Sequence, residues 1–421
     1  MVADPSSHRP RPAAARDSLR NTRSNCKSTS ATARSADNCP RSTRVCKPSV
    51  PASRSTASAV GIPYAAAPVN EKRWVSPQPV HPWTGTRDAT NPGPACTQPE
   101  APDMPSSVPQ SEDCLTVDVT APAGSGKNRP VMVWIPGGGF ITGAGSIYDP
   151  TRLAQTGDIV VVTVNYRLGV YGFFAHPELG DSNFGLQDQV AALRWVRTNI
   201  AEFGGDPTQV TLAGASAGAM SACTLMTTPQ ARNLFHRAII QSGSCLTSHP
   251  AGALGDTAFG EAAPLVEQRY PAHEFTSPTA ATSRVFSDRD WICASWKSGR
   301  DHAVRAPTYA YTFTDPTAPT PGGNPVPTLV QPATVHGSDM YSLFDFPDGP
   351  PLTTAQRSLA DRLVGYWTRF VRTGNPNGGH APAWPQLGES DLALALTRDA
   401  IQPFDMRTTH HCDLRESAWE S

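Results

Sequence analysis

The stretch that decides the fold reads Val210-Thr211-Leu212-Ala213-Gly214-Ala215-Ser216-Ala217-Gly218. An apolar run of strand type leads into the pattern Gly-x-Ser-x-Gly, and small residues compatible with a helix follow. This order is typical of a nucleophile elbow, a sharp strand-to-helix turn that exposes a serine hydroxyl above a sheet. The two glycines have a steric reason, because flanking Cβ atoms would collide with the neighbouring strand or helix. Ser216 is therefore the candidate nucleophile.

A second glycine-rich stretch lies upstream of the elbow. The apolar run Val131-Met132-Val133-Trp134-Ile135 has the pattern of a fully buried strand, and it ends in Pro136-Gly137-Gly138-Gly139-Phe140. Taken alone, the glycine run is also compatible with an ordinary flexible loop. Together with the elbow it predicts an oxyanion hole, because glycines leave backbone N–H groups open to a ligand. The predicted donors are the N–H groups of Gly138, Gly139 and Ala217.

With these two motifs, the chain resembles the type-B carboxylesterase and cholinesterase family of α/β-hydrolases over residues 59–248 and 285–415. Further matching stretches are Gly61-Ile62-Pro63-Tyr64-Ala65, Arg73-Trp74, Ser111-Glu112-Asp113-Cys114-Leu115, Asn165-Tyr166-Arg167, Gly185-Leu186-Gln187-Asp188-Gln189, Phe203-Gly204-Gly205-Asp206-Pro207 and Gln241-Ser242-Gly243-Ser244. One position departs from the family, which usually has Glu before the nucleophile where this chain has Ala215. That glutamate is neither nucleophile nor base, so we expect altered packing rather than lost chemistry.

Periodicity places further elements around these motifs. Apolar runs at 131–135, 159–164, 209–213 and 238–241 predict buried parallel strands. A helix is predicted at Gln187–Asn199, and Gly204-Gly205 followed by Pro207 is expected to end it. A second helix is predicted at Leu359–Arg372, and we interpret its aromatic stripe as core packing. Strands alternating with helices predict a doubly wound, mostly parallel sheet with helices on both faces, the α/β-hydrolase fold that the resemblance also implies.

Composition separates a first segment from the rest of the 421 residues. Residues 1–58 hold 11 Lys/Arg against 3 Asp, a net charge of +8, although the whole chain carries −1. This Ser-, Arg- and Pro-rich arm has no aromatic residue, so it cannot bury enough apolar surface to offset its ordering entropy, and we expect disorder. A solvated tail, a transit peptide, a nucleic-acid-contacting arm and a mis-set start remain alternatives. Residues 59–421 are expected to form the hydrolase domain.

The base of the predicted site comes from the resemblance. Of 11 histidines, His336 in Thr334-Val335-His336-Gly337-Ser338-Asp339 matches the family's catalytic position, in a loop beyond a strand predicted at Tyr309–Phe313. A single histidine is otherwise more often a surface or packing residue, as we interpret His410 and His411. The role implied for His336 is to accept the Ser216 proton and return it to the leaving alcohol.

The third member of the triad has no counterpart in the sequence. The family carries its acid between nucleophile and base in chain order, but nothing between Cys245 and Asp288 resembles that segment. We therefore expect an internal truncation that removed the acid, its strand and part of the pocket wall. Asp256 and Glu261 could replace the acid by position in the chain alone. Loss of a triad acid elsewhere lowers turnover about 10⁴-fold, so we expect impaired activity.

Nine cysteines allow two interpretations. The resemblance implies an early disulfide between Cys96 and Cys114 and a late one between Cys293 and Cys412. The alternative is a set of reduced thiols in a cytosolic enzyme. No Cys-x-x-Cys or Cys/His spacing indicates zinc, and we expect neither a metal nor another cofactor.

These features predict a serine carboxylic ester hydrolase that works through an acyl-enzyme. The partner is a small carboxylic ester, with no nucleic acid and, since no apolar run is long enough, no membrane span. The alternative is a non-catalytic adhesion relative, since some family members keep the fold and lose the triad. The resemblance implies secretion, although the sequence has no apolar signal segment; otherwise the chain is cytoplasmic. Neither the particular ester nor the oligomeric state is predicted.

Overall fold

The computed structural model describes residues 2–3, 56–246 and 263–414, without positions 103, 125, 325, 348 and 389. The strands are β1 Val2–Ala3, β2 Thr56–Pro63, β3 Ala95–Cys96, β4 Gln110–Ser111, β5 Thr116–Pro122, β6 Arg129–Ile135, β7 Val160–Val164, β8 Gly205–Ala215, β9 Arg237–Gln241, β10 Tyr311–Thr314, β11 Leu392–Thr397 and β12 Ile401–Asp405. The α-helices are α1 Thr151–Gly157, α2 Gly169–Phe173, α3 Phe184–Asn199, α4 Ala217–Thr227, α5 Ala263–Arg269, α6 Pro278–Ser287, α7 Cys293–Ala303, α8 Thr354–Thr373 and α9 Met406–Thr409.

The central sheet has seven strands in the order β1-β9-β8-β6-β7-β5-β2. Its four middle strands, β9, β8, β6 and β7, run parallel to one another. At the edges, β1 pairs antiparallel with β9, β5 pairs antiparallel with β7, and β2 pairs antiparallel with β5. Because parallel neighbours need crossovers, helices connect these middle strands. The predicted fold class, a doubly wound sheet of the α/β-hydrolase type, is confirmed.

The apolar runs became central strands because both faces of the sheet are covered. Along β6, Val131, Val133 and Ile135 belong to one hydrophobic cluster, and Met132 and Trp134 belong to another. This alternation follows from the period of two in a strand, which sends successive side chains to opposite faces. All five side chains are fully buried. A continuous apolar run is thus what this position in the sheet requires.

Helices α3 and α8 cover the two faces. In α3, Val190, Leu193 and Val196 pack into the first cluster. The stripe on α8, which we predicted to be core packing, lies in the second cluster and comprises Leu359, Leu363, Tyr366, Trp367 and Phe370. A capping box of Thr353 and Gln356 begins α8, and Gly374 ends it at φ +77°. The stripe therefore anchors the helix to the sheet.

The sheet is interrupted after β9. A second sheet has the order β10-β11-β12, and within the described ranges no strand pairs with both β9 and β10. The strand predicted at Tyr309–Phe313 is observed as β10 in this smaller sheet, shifted toward the C-terminus. The interruption lies between residues 241 and 311, the part of the chain from which we expect a segment to be missing. The truncation itself stays a prediction.

Most of the predicted N-terminal arm, residues 1–58, lies outside the described residues, so its disorder stays a prediction. Two parts of it are described. Val2 and Ala3 form β1, paired with Ala238 and Arg237 at the edge of β9. Strand β2 begins at Thr56, three residues before the predicted domain boundary.

Candidate active site

Ser216 lies where β8 ends and α4 begins. Its backbone has φ 53° and ψ −122°, a conformation that non-glycine residues rarely adopt, and the side chain is only partly buried. The Ser216 N–H donates to the carbonyl of Gln241 at 2.9 Å, and its own carbonyl accepts from the N–H of Met220 at 3.0 Å. The residue is thus held in a strained turn, as the predicted elbow requires.

The glycines of the elbow are required by close packing. A Cβ atom at Gly214 would lie 2.4 Å from the carbonyl oxygen of Gly218. One at Gly218 would lie 2.0 Å from the carbonyl oxygen of Ile135 at the end of β6. Both neighbours are backbone atoms, which cannot rotate away. The turn therefore needs glycine at position 214 to close on itself and glycine at position 218 to pack against β6.

The Gly137–Gly139 loop lies beside the serine. A Cβ atom at Gly137 would be 3.1 Å from the Cβ of Ser216. Gly138 and Gly139 have φ +109° and +61°, and their N–H groups donate to no acceptor among the described residues. Ala217 is the first residue of α4, so its N–H has no acceptor within the helix. Three unengaged N–H groups thus surround the elbow, the arrangement that an oxyanion hole needs.

Side chains that the sequence did not single out hold this loop. The Tyr166 hydroxyl donates to the carbonyl of Pro136 at 2.8 Å. Gln98 makes two bonds to Gly143: its amide donates to the carbonyl at 3.0 Å, and its side-chain oxygen accepts from the N–H at 2.8 Å. Tyr166 lies within a stretch that carried the resemblance, whereas no sequence pattern marks Gln98. Together they fix both ends of the loop.

A buried ion pair fixes the segment after β7. Arg167 donates from Nε and Nη2 to the carboxylate of Asp188 at 2.8 and 2.7 Å, and both side chains are almost completely buried. The Arg167 Nη1 also donates to the carbonyls of Arg73 and Val75. The pair ties α3 to the loop that carries Tyr166, whose hydroxyl bonds Pro136 at the start of the glycine loop.

His336 lies in the loop after β10, where the sequence placed it. Its ring packs against Trp291 with centroids 5.2 Å apart. Burial lowers the pKa of His336, and the nearby Asp339 carboxylate partly opposes this shift. The imidazole is therefore neutral over a wide pH range, as a general base must be.

The structure does not join His336 directly to Ser216. Among the described residues, neither side chain hydrogen-bonds the other. Ser216 contacts the end of β9 and the residues after it: its N–H donates to the carbonyl of Gln241, and a Cβ atom at Gly243 would be 2.9 Å from its carbonyl oxygen. Gly243 and His336 line the same cavity. Ser216 itself does not line that cavity among the described residues, so the cavity contains the predicted base but not the predicted nucleophile.

That cavity has a volume of about 990 Å³ and lies between the facing edges of β9 and β10. Ile240 from β9 and Tyr311 and Phe313 from β10 line it, together with Trp291. Ser242 also lines it and has φ +51°. The lining is mainly apolar and aromatic with a few polar groups, which is typical of small-molecule sites.

A close histidine–carboxylate pair exists elsewhere in the chain. The His410 Nδ1 lies 2.7 Å from the Asp288 carboxylate, which also binds Arg284 at 2.6 Å and accepts from the Tyr270 hydroxyl at 3.1 Å. Asp288 is fully buried and the His410 ring packs against Phe404. This network ties the C-terminal segment to α6, which agrees with our interpretation of His410 as a packing residue.

Three disulfides occur among the described residues. Cys96–Cys114 and Cys293–Cys412 are the pairs that the resemblance implied. Cys223–Cys245, which no sequence pattern indicated, joins α4 to the segment after β9. This third disulfide closes one side of the cavity, since both of its cysteines belong to the lining.

Asp256 and Glu261 lie outside the described residues. Within the part of the chain that the structure covers, no group of three or more His, Cys, Asp or Glu could hold a metal ion. No helix in that part is long and apolar enough to span a bilayer.

The chain is similar in sequence to several known proteins. The sequence model of the carboxylesterase family matches residues 52–252 and 261–414. Phenmedipham hydrolase from Pseudarthrobacter oxydans is 31% identical over 451 aligned positions, which cover 80% of this chain and 91% of that protein. Para-nitrobenzyl esterase from Bacillus subtilis (strain 168) is 50% identical over 197 positions, 44% of this chain and 40% of that protein. Human carboxylesterase 3 is 48% identical over 209 positions, which cover 45% of this chain and 36% of that protein.

The fold is also similar to those of solved structures. A thermophilic PNB esterase superposes with a TM-score of 0.72 at 25% identity, covering 86% of this chain and 96% of its own. A second PNB esterase superposes with a TM-score of 0.70 at 26% identity, covering 85% of this chain and 96% of its own. The fold therefore matches nearly the whole length of these esterases, although this chain has an interrupted sheet.

Proposed function

Because this chain belongs to the carboxylesterase family and its relatives include esterases and carboxylesterases, we propose that Ser216 is its nucleophile and His336 its general base. The observation that carries the proposal is the strained Ser216 backbone beside three unengaged N–H groups, those of Gly138, Gly139 and Ala217. Backbone strain of this size persists where the surrounding structure enforces it, and it is concentrated at functional sites.

The reaction follows from these positions. The Ser216 Oγ attacks the ester carbonyl carbon while its proton passes to His336, and the three N–H groups hold the oxygen that becomes negative. The tetrahedral intermediate collapses, the C–O bond to the alcohol breaks, and His336 returns the proton to the leaving oxygen. Water then attacks the acyl-enzyme by the same route and releases the acid.

The mechanism requires the His336 ring to reach Ser216 Oγ. Ser216 contacts Gln241 and Gly243, and Gly243 lines the cavity that His336 also lines, but in the described structure the two side chains are not hydrogen-bonded. Catalytic hydrogen bonds in free enzymes are often long and tighten only when substrate binds. We therefore infer that substrate binding in the adjacent cavity brings the imidazole to the serine.

We also infer that the chain lacks a segment that its relatives have. The alignment with phenmedipham hydrolase has 451 positions and includes 80% of this chain's 421 residues, which is about 337 residues. Roughly 114 of the aligned positions therefore have no residue from this chain. The interruption between β9 and β10 supports a loss at this point. Loss of the family's acid predicts slower turnover than a complete triad gives, since a triad acid contributes up to about 10⁴-fold to the rate.

The substrate class follows from the cavity. A volume of about 990 Å³ with aromatic lining from Trp291, Tyr311 and Phe313 suits an apolar or aromatic ester. The relatives' names, phenmedipham hydrolase and para-nitrobenzyl esterase, support substrates with aromatic groups. Three disulfides support an oxidising location, so we propose a secreted or luminal protein.

The experiment is a hydrolysis assay with p-nitrophenyl acetate and p-nitrophenyl butyrate. We expect a burst of p-nitrophenol stoichiometric with the enzyme, followed by slow turnover. Ser216→Ala should abolish the burst, and Ser107→Ala, which changes an exposed serine, should leave it intact. A folded wild-type protein without a burst or turnover would instead support the non-catalytic alternative, which the comparisons do not favour.

A further inference from the structure

Two carboxyl groups line the cavity that contains His336, those of Asp301 and Asp339. Asp301 is bonded to Lys297 Nζ at 2.7 and 2.8 Å, and its side chain is largely exposed. Asp339 is 5% exposed, and among the described residues it has no cationic side chain within salt-bridge distance. A buried carboxyl group without a counter-ion is costly unless a nearby group stabilises its charge.

The chain brings Asp339 and His336 to the same wall of the cavity. Gly337 turns the backbone at φ +85°, and a 3₁₀ helix follows from Ser338 to Ser342. The Ser338 N–H donates to the carbonyl of Val335 at 3.1 Å, and the Met340 N–H to that of Gly337 at 3.1 Å. This tight turn keeps the backbones of the two residues close together, and both residues line the same cavity.

Near Asp339 lie two buried polar side chains that have no hydrogen-bond partner among the described residues. The Gln241 amide and the Tyr311 hydroxyl lie close enough to interact with the carboxyl group, but neither reaches hydrogen-bond geometry, and both are buried without another partner in the described structure. Gln241 also binds the Ser216 N–H through its backbone carbonyl. One residue therefore connects the nucleophile with the neighbourhood of Asp339.

We propose that Asp339 is the positioning carboxylate of His336, in place of the acid that the chain lacks. It accepts the Nδ1–H of the imidazole, which leaves the Nε2 lone pair directed toward Ser216, and it stabilises the imidazolium formed when the serine proton is transferred. No proton passes to Asp339. This inference rests on the proposed function, since it concerns the same histidine.

The test measures how fast a fluorophosphonate probe labels Ser216 as a function of pH in wild type, Asp339→Asn and Asp339→Glu. We expect Asp339→Asn to slow labelling at least about 100-fold, toward the 10⁴-fold known for triad acids, and Asp339→Glu to restore part of the rate. With p-nitrophenyl butyrate the loss should fall on kcat rather than KM. The control Asp361→Asn removes one exposed negative charge from α8 and should label like wild type.

The pH profile separates positioning from a merely structural role. The titratable or charged groups that line the cavity with His336 are Asp301, His302, Arg305, Tyr309, Tyr311 and Asp339. A negative charge raises the pKa of a histidine, so its removal in Asp339→Asn should move the acid limb of the profile to lower pH. Equal rates and equal profiles in wild type and Asp339→Asn would overturn the inference and leave the proposed function standing. Absence of labelling in wild type would overturn the proposed function itself.

A second measurement needs no Asp339 variant. A histidine Nδ1 proton shared with a carboxylate gives a far-downfield proton resonance, which we expect in wild type and not in His336→Gln. Its absence from folded wild type at a pH where Asp339 is ionised would overturn the inference, even if the Asp339→Asn protein did not fold.

Discussion

Replacing Gly138 by alanine should disable the oxyanion hole without removing any donor. The new Cβ would lie 2.2 Å from the carbonyl oxygen of Thr142 and 2.7 Å from its carbonyl carbon. In proteins a Cβ atom hardly ever lies closer than about 3 Å to a backbone atom, so the loop must move by about 1 Å to accept the new side chain. The backbone angle φ of +109° is also one that alanine rarely adopts, which adds strain. A displacement of about 1 Å costs roughly 10²-fold in rate, and loss of one oxyanion donor costs about 10²–10³-fold.

Gly139→Ala is the matched control. Gly139 also has a positive φ, +61°, but a Cβ atom there meets no heavy atom within 4 Å. The change should cost about 1–2 kcal/mol of stability through the left-handed backbone and leave the N–H in place. We expect its labelling rate to remain within about tenfold of wild type, since only the free energy of unfolding changes.

The assay is the rate of p-nitrophenyl butyrate hydrolysis and of fluorophosphonate labelling, with a melting curve for each variant. The expected result is a loss of about 10²–10³-fold in folded Gly138→Ala and little change in Gly139→Ala. Equal rates in the two folded variants would refute the assignment of Gly138 to the oxyanion hole.

Three further predictions concern the supports of the site. Asp188→Asn should lower the free energy of unfolding by about 3–5 kcal/mol in urea titrations, because it leaves the buried Arg167 uncompensated; an unchanged midpoint would contradict the ion pair. The double change Cys293→Ser and Cys412→Ser opens a crosslink across 119 residues and should cost about 4–5 kcal/mol, whereas equal stability of oxidised and variant protein would argue against it. The pH–rate profile should keep its acid limb below pH 6.5, because burial lowers the pKa of His336 and the base stays neutral as pH falls; a limb above 6.5 would contradict that environment.

The sequence was sufficient for the elements whose signal is local. The apolar runs became β6, β7, β8 and β9 with boundaries shifted by a few residues, and the largest extension is β8, which begins at Gly205. The prediction that Gly-Gly ends the preceding helix holds, since Gly204 has φ +85° after the 3₁₀ turn that follows α3. Pro207 lies near the start of β8, a position where a strand tolerates proline.

Pairings between distant residues could not be predicted. Strand β10 pairs with β11, more than eighty residues later, and its separation from β9 depends on which strands are present rather than on its own sequence. The Asp288–His410 pair spans 122 residues, and neither side chain has a local signal. Gln98 is similar, because its two bonds to Gly143 depend on the fold of both loops.

Asp339 illustrates a different difficulty. It stands three residues after His336 in the sequence, yet chain order in this fold places the acid before the base, so its position in the sequence does not mark it as the acid. Only the cavity lining and the absence of a cationic partner in the described structure single it out. Its proposed role depends on the burial of its loop, and loops have no hydrophobic periodicity from which burial could be predicted.

The most direct test of the account is covalent labelling of the wild-type protein with a fluorophosphonate, followed by peptide mass mapping. We expect one label per chain, on the peptide that contains Ser216, and none after Ser216→Ala. A protein with a cooperative melting transition that takes no label, or takes it on another residue, would contradict the claim that this serine is the nucleophile.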